Sequence, residues 1–364
     1  MKIHIAVAVL LFALIATASR AQKSETDSLF NLVSRAKEDS VKADLLLALS
    51  KAYFSTSTND AIKYATDAKN LSEKIGYKKG VAYALKNIGI GYFYQSKYVN
   101  TLDYWQQSLE AFTTMGDKAG MANILGNLGA IYFNQADAEK ALDYYLRSLK
   151  VAEEINESFR LASVYNIMGA IYAEKEQTLD KAKENYLKAL PIGEKIQDEG
   201  AIGTATVNLG EIYYKKHELD SALYYFEKSL KAYENSENSP YSLTYIGKVY
   251  ALRGDYDKAI KYQEQAFDIA KKLDAQFDMA QARIGLAETY VQLGKINMAL
   301  DAYLEAEKIS RELKANKELK DCYIGLAQSY AELSDYGNAY KYQTLYSVIK
   351  DTLYNIETDK KLGS

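Results

Sequence analysis

Asn127-Leu-Gly-Ala-Ile-Tyr132 decides how this chain is read, because the rest of the sequence keeps rewriting it. Close copies are Asn87-Ile-Gly-Ile-Gly-Tyr92, Ile167-Met-Gly-Ala-Ile-Tyr172 and Asn208-Leu-Gly-Glu-Ile-Tyr213. Looser ones follow as Tyr245-Ile-Gly-Lys-Val-Tyr250, Gly285-Leu-Ala-Glu-Thr-Tyr290 and Gly325-Leu-Ala-Gln-Ser-Tyr330, and an eroded copy, Leu49-Ser-Lys-Ala-Tyr53, comes first. The small central residue falls at 50, 89, 129, 169, 210, 247, 287 and 327, so neighbours are 37 to 41 residues apart. A period of this size marks an array of supersecondary units.

A second mark keeps step with the first. Twelve residues past the centre stands Ala141, Ala222, Ala259, Ala299 or Ala339, with Ala182 one residue late after Glu176-Gln-Thr-Leu-Asp180. Four residues on come Trp105, Tyr145, Tyr186, Phe226 and Tyr303. Small residues at two fixed points let two antiparallel helices approach closely, and the aromatic groups fill the space around that contact. The unit is a helical hairpin, written about eight times.

These spacings resemble the tetratricopeptide repeat family: glycine, tyrosine three later, alanine twelve later, aromatic sixteen later. The resemblance covers roughly residues 40–350. The unit is longer than the family's usual 34 residues, which suits lengthened helices, and the family's proline near the end of the second helix is missing. The resemblance implies an all-α fold, a right-handed superhelical solenoid of about eight hairpins with a short N-terminal lead helix.

Residues 1–21 read as a signal peptide: one lysine, an apolar run from Ile5 to Ala16, then small residues up to Ala21. The run is too short to span a bilayer, which takes about 20 apolar residues. Cleavage after Ala21 directs the chain to an exported compartment, the bacterial periplasm. No cysteine follows the run, so a lipoprotein anchor is excluded, and no other long apolar segment inserts in a membrane. Residues 22–39 are the lead segment, with a helix over Ser24–Lys37 that buries Leu29, Phe30, Leu32 and Val33. Residues 40–350 are the repeat array and 351–364 an exit segment. Pro191 lies inside a predicted helix and should kink it, and Ser239 should cap the helix that Pro240 opens.

The chain carries 45 basic and 48 acidic residues, and losing Lys2 and Arg20 with the leader makes it slightly more acidic. That balance gives no electrostatic footprint for nucleic acid. Cys322 is the only cysteine, so no internal disulfide forms, and its place on a repeat helix reads as a buried structural thiol. Only His4 and His217 are histidines, so a zinc site has no ligands of the usual kind. No phosphate loop, nucleophile elbow or dinucleotide fingerprint appears, so the expectation is no catalysis, no metal and no cofactor.

What remains is surface. Counting the central residue as zero, the resemblance places −6, −3, −2, +1, +4 and +5 on a concave groove. Asn87, Asn127 and Asn208 stand at −2, where a side-chain amide can pair with a peptide's C=O and N–H. Asn123 at −6, and Asn166 and Lys86 at −3, adjoin them. Tyr94, Asn134 and Tyr214 at +5 or +4, beside Phe93 and Phe133, add contact area. Packing against the next helix is the plain alternative for the asparagines and the two phenylalanines. The implied function is non-enzymatic binding of a peptide or protein in that groove.

A narrower resemblance rests on Asp27-Ser-Leu-Phe, Ala36-Lys-Glu-Asp-Ser and Asp44-Leu-Leu. It is to exported repeat regions that serve as inputs of bacterial sensor histidine kinases and nucleotide cyclases. In those proteins the exit segment continues as a coiled coil, a membrane span and a catalytic domain. A free-standing periplasmic scaffold that assembles an envelope complex is the competing reading.

Overall fold

The computed structural model describes residues 26–233 and 238–362, and the predicted signal peptide lies outside them. A first helix, α1, takes residues 26–35. Sixteen more follow as eight antiparallel pairs. These are α2 Ser40–Ala52 with α3 Thr58–Lys74, α4 Lys78–Tyr94 with α5 Tyr98–Met115, and α6 Lys118–Asn134 with α7 Ala138–Glu154. Next come α8 Ser158–Ala173 with α9 Leu179–Ile196, and α10 Glu199–Lys215 with α11 Leu219–Ala232. The last are α12 Ser239–Leu252 with α13 Tyr256–Lys272, α14 Gln276–Gln292 with α15 Ile296–Leu313, and α16 Asn316–Glu332 with α17 Tyr336–Leu362. No strand occurs among the described residues.

The chain divides into two compact units, one ending at Glu157 and one starting at Ser158. The first holds α1–α7 and the second α8–α17. The period alone implies one continuous array. It gives no sign of this division, which falls at an ordinary repeat junction, Ile155-Asn-Glu-Ser158, without proline or glycine.

The hairpins draw on a small set of recurring contacts. In the second, third and fifth repeats the central glycine faces the aromatic sixteen later: a Cβ on Gly89 would lie 2.3 Å from the Trp105 ring, and one on Gly129 would lie 3.0 Å from Tyr145. The marker alanines Ala141, Ala182, Ala222, Ala259 and Ala299 are fully buried. The signature tyrosine has a different partner. Tyr92, Tyr132, Tyr213, Tyr250 and Tyr330 stack on Tyr104, Tyr144, Tyr225, Tyr262 and Tyr342, fifteen residues past the centre, with ring centroids 5.3–5.6 Å apart. A serine four residues on fastens the far end: Ser108 Oγ donates to the Ala82 carbonyl and Ser148 Oγ to Ala122, each at 2.8 Å.

The turns explain the tyrosine's fixed place. In six repeats its own carbonyl accepts the amide five residues on, as in Lys97 to Tyr92 and Asp137 to Tyr132, with a left-handed residue such as Ser96 or Ala136 just before the donor. This is the Schellman closure of a helix C-terminus. The longer fourth turn inserts a 3-10 turn, Glu176–Thr178, and there the Thr178 hydroxyl donates to the Tyr172 carbonyl instead. Aspartates restart helices by accepting amides of the first turn: Asp117, Asp137, Asp198, Asp255 and Asp335 all do so.

Several local expectations change. In α1, Leu29 and Val33 pack inward, but Phe30 and Leu32 are 52% and 51% exposed, because a helix buries the i, i+4 pair and turns the others out. α12 starts at Ser239 with Pro240 as its second residue, and the preceding Asn238 makes no side-chain cap. Proline fits there as well, since the first-turn amides have no intrahelical acceptor. α11 and α12 are short, at 14 residues each, as the narrowed spacing implies. α9 continues through Pro191. α17 continues through 351 to Leu362, so the array and the exit segment share one helix. Cys322 is buried, and burial pushes its thiol pKa up. His217 is exposed, with a left-handed backbone in the turn after α10.

Candidate functional site

The predicted groove residues divide by burial. In the first unit Asn87 is 0% exposed, and its Nδ2 donates to the Leu47 carbonyl of α2 at 3.3 Å. In the second unit Asn166 is buried, and its Nδ2 donates to the Ala201 carbonyl of α10 at 3.0 Å. Both amides serve helix packing. Asn208 is half-buried and donates back to Thr204 in its own helix at 2.8 Å. Asn127 and Asn123 are half-buried, Asn134 and Tyr94 are exposed, and Lys86 lies over the Tyr83 ring at 5.0 Å. Phe93 stacks on Trp105 at 6.0 Å and belongs to the core of the first unit. The −2 asparagines therefore do not form a row of equivalent free amides. Two neighbouring helices approach closely enough to take up those at Asn87 and Asn166.

The second unit brings another set together, of which the prediction named only Tyr214. At +1 the fifth, sixth and seventh repeats carry Glu211, Lys248 and Glu288, where the second to fourth carry Ile90, Ala130 and Ala170. All three charged residues are half-buried. Lys248 Nζ lies 3.2 Å from Glu288 Oε2, with the lysine side chain 16% exposed, and it also sits 5.7 Å from the centre of the Tyr245 ring. Burial works against its ammonium, but the Glu288 carboxylate and the Tyr245 and Tyr214 hydroxyls carry its pKa above the ordinary lysine value.

Tyrosines link this pair to Glu211. Tyr245 stacks on the fully buried Phe226 at 5.0 Å, meets Tyr214 edge-on at 5.7 Å and lies 4.9 Å from Tyr241. The Tyr241 hydroxyl donates to Glu211 Oε1 at 2.8 Å. Burial raises the Glu211 pKa above the usual carboxylate value, against the opposing pull of the Tyr241 hydrogen bond and of Lys215 and Lys317. Burial and the Glu211 charge together also hold the Tyr186, Tyr241 and Tyr245 hydroxyls in their protonated form. The fully buried Tyr186 hydroxyl has no hydrogen-bond partner among the described residues.

Each member comes from the first helix of a repeat except the supporting Phe226 and Tyr186. α10 supplies Glu211 and Tyr214, α12 supplies Tyr241, Tyr245 and Lys248, and α14 supplies Glu288. The signal was present in the motif itself. Glycine-Glu-Ile-Tyr, Glycine-Lys-Val-Tyr and Alanine-Glu-Thr-Tyr put ionisable groups where the earlier copies are apolar. The asparagines follow the recurrence, whereas these three residues break it. Chemically the set offers charge, hydroxyl groups and aromatic faces on rigid helices, and it holds no nucleophile beside a base.

The tetratricopeptide repeat family model matches residues 80–154, 160–235 and 239–312, more than half of the chain. No curated protein sequence matches it significantly. Among solved structures, it is similar to the apo form of the quorum sensor NprR from B. thuringiensis. The TM-score is 0.65 at 15% identity, over 92% of this chain and 99% of that one. It is also similar to a signal transduction ATPase with numerous domains and a tetratricopeptide repeat sensor from Pyrococcus horikoshii. There the TM-score is 0.64 at 18% identity, over 95% of this chain and 55% of that one. A third likeness is to the Rap conjugation gene regulator of plasmid pLS20 in complex with the Phr* peptide. Its TM-score is 0.53 at 13% identity, over 86% of this chain and 96% of that one. At these identities the likeness is one of fold.

Proposed function

Since the chain belongs to the tetratricopeptide repeat family, we propose that it is a non-enzymatic module that binds a peptide or protein segment along the first helices of its second unit. The observation that carries this reading is the half-buried row Glu211, Lys248 and Glu288 with its tyrosines. Ionisable groups on a packed helix face cost stability unless something uses them, so a row of them in otherwise apolar repeat positions points to recognition. The pLS20 regulator, similar in fold, is itself in complex with a peptide, which supports the same use of the scaffold here. Panning a library of short random peptides against the full chain, alongside a Lys248→Glu variant, tests it. The expected result is a set of peptides with micromolar affinity for the unaltered chain that the variant binds at least about tenfold more weakly. Failure to select any peptide would overturn the reading.

The finer reading is that this module is the exported input region of a membrane signalling protein. It is supported by the leader-like residues 1–21 and by the narrower resemblance near the N-terminus. N-terminal sequencing of the protein from a periplasmic fraction of its native cells tests export. A start at Gln22 is the expected result, and an intact Met1 in the cytoplasmic fraction would overturn it.

A further inference from the structure

The carboxylates on the second unit's packed faces are nearly all served. Glu288 has Lys248, Glu307 has Arg311 at 2.8 Å, and Glu318 accepts from the Gln281 amide at 2.7 Å. Asp278 lies in the first turn of α14, where the helix N-terminus favours a negative charge. Of these supports Glu211 has only a hydrogen bond from a neutral donor. It sits in the last turns of α10, where the helix dipole disfavours an anion, and no cation pairs with it among the described residues. That hydrogen bond comes from the Tyr241 hydroxyl and reaches one of its two oxygens. Lys215, one turn on in the same helix, and Lys317 pull on its charge, but neither forms an ion pair with it and both are exposed to water.

Around it stand hydroxyl oxygens that can accept as well as donate. Tyr241 and Tyr245 lie within reach of its charge, and so does Tyr186, whose buried hydroxyl lacks a partner. A half-buried anion among tyrosine acceptors and ring faces suits a group that is positively charged, donates several hydrogen bonds and accepts none. Guanidinium and ammonium groups have this chemistry. We propose that Glu211 is the docking point for a cationic side chain, arginine or lysine, of the bound peptide, with Tyr214, Tyr241 and Tyr245 as the walls of its subsite. The proposal rests on the peptide-binding reading and adds the class of residue that the peptide presents.

The test uses a random heptapeptide phage library panned against the full chain and, in parallel, against Glu211→Gln. Glutamine keeps an oxygen for Tyr241 and removes the charge, and thermal unfolding followed by circular dichroism verifies that the variant is folded. The expected result is enrichment of arginine or lysine at one peptide position with the unaltered chain, lost with Glu211→Gln. A selected peptide should then bind the variant at least about tenfold more weakly, and replacing its basic residue by glutamine should weaken binding to the unaltered chain equally. Combining both changes should cost no more than either alone, as expected of one charge pair. Two outcomes overturn the proposal and leave peptide binding standing: selected peptides without a basic residue, or basic peptides indifferent to Glu211→Gln. No selected peptide at all overturns both.

Discussion

The second and third repeats and the fifth and sixth are built on the same hairpin, yet they treat one register in opposite ways. Past the central glycine, Ile90 and Ala130 add to the apolar surface of the first unit, whereas Glu211 and Lys248 place charge on the packed surface of the second. Beneath that register the second, third and fifth repeats are alike, while the sixth sets Gln263 where they carry an aromatic ring. Gly89 meets Trp105 and Gly129 meets Tyr145, just as Gly210 meets Phe226. The signature tyrosine stacks fifteen residues on in both regions. The hairpin forms with either kind of residue at this position, and a position whose occupant the fold does not dictate can carry recognition.

The largest expected effect comes from the base on which the charged row stands. Phe226 is fully buried under Gly210 and stacks on Tyr245. Phe226→Ala should destabilise the chain by about 3–5 kcal/mol in urea unfolding, through lost burial and the cavity left behind. A loss below about 1 kcal/mol would mean that the row does not rest on a rigid aromatic core.

A smaller loss, about 1–2 kcal/mol, is expected for Lys248→Met, because Glu288 then loses its cation on a partly buried face. Its companion Lys248→Glu with Glu288→Lys should recover most of that loss if the pair acts through charge. An equal loss in the swapped variant would assign the effect to packing of the lysine stem instead.

The asparagines sharpen the contrast within one register of the first unit. Asn87 is buried and bonded to Leu47, while Asn127, forty residues on, is half-buried and makes no hydrogen bond among the described residues. Asn87→Ala should cost about 1–2 kcal/mol by removing the buried hydrogen bond that ties α4 to α2. Asn127→Ala should change stability by no more than about 0.5 kcal/mol, and towards greater stability, alanine being the better helix former. Equal losses at the two sites would restore them to one structural role.

These differences show what a period can and cannot reveal. The spacing of glycine, alanine and aromatic gave the helices, their pairing and the buried faces, since each depends on residues that recur. It did not separate the aromatic at fifteen, which stacks on the signature tyrosine, from the one at sixteen, which lies on the glycine. Both are one step apart on the same helix, and only the axial offset of the pair tells them apart. Nor did it distinguish Asn87 from Asn127, because burial of an amide depends on how closely the neighbouring helix approaches. The charged row was legible in principle, as departures from the repeat at Glu211, Lys248 and Glu288, but recurrence draws attention to what is constant.

The smallest effect is the one that bears most directly on recognition. Burial lifts the Glu211 pKa above the ordinary value of 4.5. A carboxyl that holds its proton more tightly in the folded chain than in the unfolded one weakens the fold at any pH above its folded pKa. That penalty fades as pH falls through the folded value and is gone once pH drops below the unfolded one. Glutamine carries no such penalty. Glu211→Gln should therefore be slightly more stable than the unaltered chain at pH 7, and the gap should close as pH is lowered towards about 4, as urea midpoints across that range would register. A gap that stays constant with pH would mean that Glu211 ionises as a solvated surface carboxylate, and the contrast between the charged and apolar repeats would then lose its energetic basis. Saturation with a basic peptide should reverse the order at pH 7, because only the unaltered chain then has a cation against its buried charge.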